Sequence, residues 1–376
     1  MRIAFIGQKG IPATWGGVEF HVNELARRLR NRGHDVTVYV RNWYTPKQIK
    51  EHLGIKLIHT PCINTKHLDA ASHSLTSSIH TLFNSYNIVH YHAMGPALFS
   101  WIPRIFCKKV VATIHRFDYE AKKWGNFAKK ALKVSERIAF NIPQKTIVVA
   151  KHQEDFYKSK GYRPIYIPNG VNIPKKASSN IIKEKYSLHG KDYILFLGRL
   201  VPEKQIDWVI KAFKMLKTVR IQDKNLKLVI AGGSSATDKY VKQLYKIADR
   251  DSDIIFTGFA KGRLKKELLS NALLFVVPSA LEGLPIALLE AMSYELPCLV
   301  SNILPHQEII TDGVNGFFFN HNEFSDFVQK MGWLLGRSEI LREIGSKARE
   351  KVQKEYNWDK VVNKVEQIYN LVFFSG

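Results

Sequence analysis

Cysteine is scarce in this chain, and so is negative charge. Its 376 residues include three cysteines, and 33 acidic side chains stand against 56 Lys and Arg. Cys62, Cys107 and Cys298 are odd in number and far apart. That excludes a disulfide framework and a cysteine-based metal spacing, and it points to a reducing, cytoplasmic setting. Long apolar runs are missing too. The run Leu268–Leu281 contains Pro278 and is too short to span a bilayer. Ile3–Ile6 is too short for a signal-peptide core. Any membrane contact is therefore expected to be peripheral. No solenoid repeat, low-complexity tract, RNP-like segment or zinc-finger spacing is present, so nucleic acid is not an expected partner.

What is present is enough chain for two domains, with 45% hydrophobic and 24% charged residues, the balance of a soluble globular protein. The net charge of +23 is unevenly spread: residues 1–173 hold 26 basic and 10 acidic side chains, a net +16, leaving +7 for the remainder. Such an excess attracts polyanions, and an anionic membrane face is the expected one. A basic surface with no dedicated partner is the alternative.

Strand and helix alternate twice. In the first half, Ile3–Ile6, Val36–Val40, Ile88–Tyr91, Val110–Ile114 and Ile147–Val149 read as buried strands. Val18, Val22, Leu25 and Leu29 recur at helical spacing until Gly33 stops them. After the polar linker Pro174–Asn180 the pattern restarts with Tyr193–Leu197, Leu226–Ala231, Ile254–Phe256, Leu273–Val277 and Cys298–Val300. Alternation of this kind predicts α/β domains with parallel sheets, which bind ligands at the carboxyl ends of their strands. Trp358–Phe373 reads as a closing amphipathic helix.

Between the first strand and helix lies a glycine loop, residues 7–17, ending in Gly16 and Gly17. It suits phosphate approach at a helix start. Its spacing is not G-x-G-x-x-G, and Arg41 and Asn42, not an acid, follow the second strand, which argues against a nicotinamide dehydrogenase. In the second half, Gly198-Arg-Leu-Val-Pro-Glu-Lys204 ends a strand with an Arg and enters the next helix with a Lys. Glu282–Glu290 (EGLPIALLE) sets one carboxylate in a loop and another in the helix that Pro285 opens. Gly283 and Pro285 break the path between them, so the two carboxylates address different groups. Two cations for a diphosphate and two carboxylates for hydroxyls suit a nucleotide-sugar. Fixed cations also favour a leaving phosphate more as its charge grows.

These stretches resemble the retaining glycosyltransferases of the GT-B fold, the large family 4 group. The likeness runs in order through residues 7–17, Thr113–His115, Ile167–Val171, Gly198–Lys204, Thr257–Gly258 and Glu282–Glu290. Residues 7–19 are similar to a subgroup that includes rhamnosyltransferases of surface-polysaccharide assembly. The resemblance implies two Rossmann-like parallel-sheet domains facing across a cleft. These are an acceptor-side domain at 1–173, a nucleotide-sugar domain at 174–356, and a helix at 357–376 packing back across the first. It implies that Arg199 and Lys204 bind the diphosphate, with Gly16 and Gly17 facing the same phosphates. Glu282 would hold donor-sugar hydroxyls, Glu290 the ribose, and His115 would lie near the reacting carbon. Gly258 would border the base, with Gly198, Gly283, Leu284 and Pro285 along the donor. Transfer would retain configuration with no metal, no cofactor and no general base from the protein. Arg116 and Gln205 stand where the family often has Gly.

Asp251 and Asp253 look like a metal-holding acidic pair, but they precede a strand, at the end away from ligand sites. A basic stretch is more informative. Lys122, Lys123, Lys129, Lys130, Lys133 and Arg137 surround an apolar stripe of Trp124, Phe127, Ala131, Val134 and Ile138. A helix of this composition either lies in a membrane interface or packs on its sheet with a solvated basic face. The expectation is a cytoplasmic, peripheral glycosyltransferase that extends a lipid-linked saccharide. A soluble acceptor and a non-catalytic nucleic-acid binder are the alternatives.

Overall fold

A computed structural model describes residues 1–65, 68–117, 126–219, 225–235 and 237–375, with the backbone alone for 126–129 and 219. The chain forms two compact units, Met1–Gly170 with Trp358–Gly376, and Val171–Asn357.

The first unit runs β1 (Arg2–Ile6), α1 (Gly17–Asn31), β2 (Asp35–Val40), β3 (Glu51–His52), β4 (Ile55–His59) and α2 (Asp69–Leu82). It continues with β5 (Ile88–His92), α3 (Met94–Ala97), α4 (Trp101–Ile105), β6 (Lys109–Ile114), α5 (Asn126–Asn141), β7 (Lys145–Val148), α6 (Lys151–Ser159) and β8 (Ile165–Tyr166). The eight strands order β3-β4-β2-β1-β5-β6-β7-β8, parallel except for the β3–β4 hairpin. That hairpin turns on Leu53 and Gly54, both at positive φ, the geometry a two-residue turn needs. Leu53 hid it from the sequence pattern.

The second unit begins with α7 (Asn180–Tyr186), β9 (Tyr193–Leu197), α8 (Ile206–Val219), β10 (Lys227–Ala231), α9 (Asp238–Ala248) and β11 (Ile254–Gly258). It ends with α10 (Gly262–Asn271), β12 (Leu274–Val277), α11 (Ile286–Ser293), β13 (Cys298–Ser301), α12 (Leu304–Gln307), β14 (Phe317–Phe319), α13 (Phe324–Leu335) and α14 (Ser338–Glu355). Its sheet is wholly parallel, β11-β10-β9-β12-β13-β14. The last helix, α15 (Trp358–Phe374), belongs to the first unit.

Strands buried on both faces explain the unbroken apolar runs. In β1, Ile3 and Phe5 enter one core, beside Val22, Leu25 and Leu29 of α1. Ala4 and Ile6 point the other way, into a core with Val89, Tyr91 and Ala112. Trp358, Val361, Val362, Val365 and Tyr369 of α15 fill the α1 side, and Tyr369 bonds His90 of β5 (Oη to Nδ1, 2.6 Å). The chain closes its first unit with its last helix.

Candidate functional site

The parallel strands of each sheet reverse their order once, and ligands of open parallel sheets gather at the carboxyl ends beside that reversal. In the second unit the reversal lies between β9 and β12. Gly198 and Arg199 leave the end of β9, and Ser279 to Glu282 follow the end of β12. Sequence places these segments eighty residues apart; topology makes them neighbours.

The backbone then locks them. The Ala280 amide donates to the Glu203 carbonyl at 2.8 Å, tying the β12 loop to the short 3-10 turn Pro202–Lys204. Lys204 Nζ donates to Glu282 Oε1, which also accepts from Ser279 Oγ at 2.8 Å. Both partners of the ion pair are largely shielded. His306, fully buried on α12, stands close enough to act on the Glu282 charge. Its Nδ1 lies 2.8 Å from the Ser301 carbonyl and therefore carries the proton, leaving Nε2 as an acceptor. Burial by itself would raise the Glu282 carboxyl; Lys204, His306 and the two hydrogen bonds outweigh it and hold the group below the usual carboxylate range. Burial pushes His306 down to about 4, against the pull of Glu282.

Glu290 is held separately. On α11 it accepts from Lys265 Nζ of α10 at 2.6 Å. Each carboxylate thus has its own lysine. Leu284 and Pro285 are buried and Gly283 half-buried in the loop that feeds α11, whose N-cap is Pro285. Arg199 is half-buried at the β9 end. Gly258 ends the edge strand β11, exposed and at φ +68°. The acidic pair Asp251 and Asp253 sits at the other end of β11, where both carboxylates pair with Lys217.

Gln205, at φ +48°, shows why the family often has Gly there: the chain passes through left-handed space between the 3-10 turn and α8. Gly232 meets a different constraint. A Cβ there would lie 1.8 Å from the Gly198 carbonyl oxygen, so the β9 and β10 loops touch backbone to backbone.

In the first unit the reversal lies between β1 and β5. His92 ends β5, His115 follows β6 and His21 lies on α1, the helix after β1. His92 Nδ1 is 3.2 Å from His115 Nε2, and the His21 ring stands 5.0 Å from that of His115. Burial, followed by the neighbouring imidazole of His90, pushes His115 down to about 3. His21 and His92 are held well below the ordinary value for the same kinds of reason. All three are neutral at physiological pH.

The glycine loop carries a feature the sequence reading did not anticipate. Gly16, at φ +100°, caps α1, and Gly17 is its first, exposed residue. The Glu19 carboxylate folds back over Gly16, accepting from the Lys9 backbone amide at 3.1 Å and from Lys9 Nζ at 3.3 Å. A Cβ on Gly16 would lie 1.9 Å from Glu19 Oε2. An anion at Gly16 and Gly17 must therefore contend with Glu19, which already answers the helix dipole.

The basic helix departs from the expected stripe. Lys122, Lys123 and Trp124 lie outside the described residues, as do the side chains of Phe127 and Lys129. In the described part of α5, Ser135, Glu136 and Ala139 are buried, while Lys130, Ala131, Lys133, Val134 and Arg137 are exposed. Of the apolar stripe, Ala131 and Val134 face solvent among the cations and Ile138 is half-buried. Ser135, Glu136 and Ala139 pack inward together with Phe140, whose ring lies against Tyr157 and Tyr162.

Sequence reasoning also missed Ser279, His306, Lys265, Gly232, His21 and His92. Ser279 carried a faint signal, three residues before Glu282 in a loop. The others act through partners distant in the chain.

The profile of the "Glycosyltransferase Family 4" matches residues 15–175 and that of the "Glycosyl transferases group 1" residues 178–351, so the two follow one another along most of the chain. An uncharacterized glycosyltransferase of Methanocaldococcus jannaschii is 24% identical, over 99% of this chain and 98% of its own. The UDP-Gal:alpha-D-GlcNAc-diphosphoundecaprenol alpha-1,3-galactosyltransferase of Escherichia coli is 26% identical over 76% and 75%. The solved sucrose-phosphate synthase of Thermosynechococcus elongatus shares the fold, with a TM-score of 0.85, 19% identity and full coverage of both chains. Two parallel-sheet units in tandem, matched in turn by these two profiles, place the chain among the GT-B glycosyltransferases of the family 4 type.

Proposed function

We propose that this glycosyltransferase moves a sugar, with retention and without a metal, from a nucleotide-sugar to a lipid-linked glycan of the cell surface. The second unit binds the donor and the first handles the acceptor. The observation that carries the donor assignment is the shielded Lys204–Glu282 pair at the strand-order reversal. A lysine ammonium has three donors, so Lys204 can keep Glu282 and still bind a phosphate oxygen. With Arg199 it offsets the charge that grows on the diphosphate as the glycosidic bond breaks. Glu282 and Ser279 present acceptors to sugar hydroxyls, and Glu290 to the ribose.

A carboxylate held below its usual range is a weak base, and so is His115, pushed down to about 3. This favours a reaction in which the departing phosphate takes the acceptor's proton, the front-face route that retains configuration.

Two observations support a lipid-linked acceptor. The Escherichia coli relative acts, by its name, on a diphosphoundecaprenol-linked sugar. Besides the exposed cations of α5, the first unit also exposes Ile79 and Phe83 at the end of α2 and Trp101, Ile105 and Phe106 in and after α4. Exposed apolar groups and exposed cations on one unit fit an anionic bilayer surface. No described helix is long and apolar enough to cross a membrane. The three cysteines are free thiols, as a reducing cytoplasm keeps them. We place the enzyme on the cytoplasmic face of the membrane.

A thermal-shift panel of UDP, GDP, dTDP and ADP and their sugars, with and without EDTA, tests the donor assignment. A ligand at about a hundred times its Kd adds about 2.7 kcal/mol to stability. One nucleotide series should raise the midpoint equally with and without EDTA. A response that EDTA abolishes would refute metal-free binding.

A further inference from the structure

We propose that His21, His92 and His115 form a binding site for one first-row transition-metal cation, of which zinc is the best match. The site lies in the first unit and is distinct from the donor diphosphate's cations, Arg199 and Lys204.

The three imidazoles each offer a ring nitrogen, and all three nitrogens lie within 4.8 Å of one another. Two are already placed for ligation. Zinc–nitrogen bonds of about 2.0–2.1 Å in a tetrahedron put neighbouring nitrogens about 3.3 Å apart, and His92 Nδ1 stands 3.2 Å from His115 Nε2. A single hydrogen bond explains that distance equally well, so the third histidine decides. His21 is buried, yet its Nδ1 has no hydrogen-bond partner, and the same holds for His92 Nε2. Buried polar nitrogens are seldom left unmet without a reason. His90, packed directly behind His92, is the internal control. Both its nitrogens are bonded, to Tyr369 Oη at 2.6 Å and to Thr113 Oγ1 at 2.7 Å. The unmet nitrogens, His21 Nδ1 and His92 Nε2, belong to two of the three clustered histidines.

The chemistry of the donor set narrows the ion. Three neutral imidazoles and no carboxylate suit zinc, cobalt, nickel or copper, and are a poor match for magnesium, calcium or manganese. Three protein ligands leave one tetrahedral position open for water or substrate. The Asn169 side chain lies within hydrogen-bonding reach of His21 and can hold that ring's orientation.

Titration of tag-free, EDTA-stripped protein with Co2+, followed by visible absorption, tests the site directly. We expect the intense d–d bands of a four- or five-coordinate ion, saturating at one equivalent, abolished by one equivalent of Zn2+ and untouched by excess Mg2+. His21→Gln and His92→Asn, each checked for folding by circular dichroism, should weaken binding by more than the roughly 10–100-fold that follows loss of a supporting partner. If one variant does not fold, the other carries the comparison. Absence of the bands in wild type, or unchanged cobalt binding in a folded variant, overturns the site. Neither result bears on the donor assignment, which the nucleotide panel reads separately.

Discussion

Removing the Lys204 ammonium tests the proposed donor site most sharply, because that group pairs with Glu282 and, in the proposed reaction, also meets the diphosphate. Lys204→Ala leaves the Glu282 carboxylate behind with only Ser279 and the imidazole of His306. With side-chain exposures of 16% and 10%, the pair is shielded but not sealed. Breaking a fully buried pair costs about 3–5 kcal/mol, so about 2–4 kcal/mol is expected here. The sign of its pH dependence follows from the carboxylate. In the wild type its pKa is lowered, so the favourable contribution is complete above the unfolded value of about 4.3 and fades as pH falls through the folded one. Without Lys204, burial dominates and raises the folded pKa. The penalty is then full at neutral pH and disappears below about 4.3. Both changes narrow the gap between wild type and variant on acidification.

Urea unfolding of Lys204→Ala, Glu282→Ala and the double variant, near neutral pH and near pH ~4.5, measures this. The double variant should be less destabilised than the sum of the singles, since it strands no charge. Strict additivity, or a gap that widens in acid, would refute the pairing. Transfer reads the proposed diphosphate contact: losing one donor aimed at developing negative charge costs about 100- to 1000-fold in turnover.

Gln205→Gly relieves a left-handed backbone worth about 1–2 kcal/mol at the cost of about 0.5–1 kcal/mol of chain entropy, so urea unfolding should show no loss and a gain of up to about 1 kcal/mol. Gly232→Ala drives a Cβ into the Gly198 carbonyl. It should cost more than the about 1–3 kcal/mol of ordinary overpacking and remove the nucleotide-dependent thermal shift. Lys130, Lys133 and Arg137 changed together to Glu should abolish flotation with anionic vesicles, since each cation near such a surface contributes about 1 kcal/mol. Flotation unchanged at moderate salt would sink the lipid-surface reading and favour a soluble acceptor.

Nearly every core strand was legible in the sequence, for a plain reason. A strand buried on both faces must be apolar throughout, so Ile3–Ile6 and Tyr193–Leu197 announce themselves. The short edge strands were not legible. Phe317–Phe319 is three residues long, and the β3–β4 hairpin turns on a leucine. In α5, Ala131 and Val134 face out while Ile138 and Phe140 are half-buried, and spacing alone left open which way the apolar stripe faces.

The sequence by itself determined two tandem α/β units and supplied the side-chain types of the proposed donor site, because strand burial and loop composition are local properties. Arg199, Lys204, Glu282 and Glu290 were all identifiable from their own neighbourhoods. Partnership was decided only by tertiary structure. Lys204 meets Glu282 because β9 and β12 are adjacent, although 78 residues separate the two side chains. Lys265 claims Glu290, His306 joins from beyond β13, and His21 meets His92 and His115 across the β1–β5 reversal. Such contacts depend on strand order, which no single stretch of chain encodes, since every parallel strand offers its neighbours the same backbone ladder.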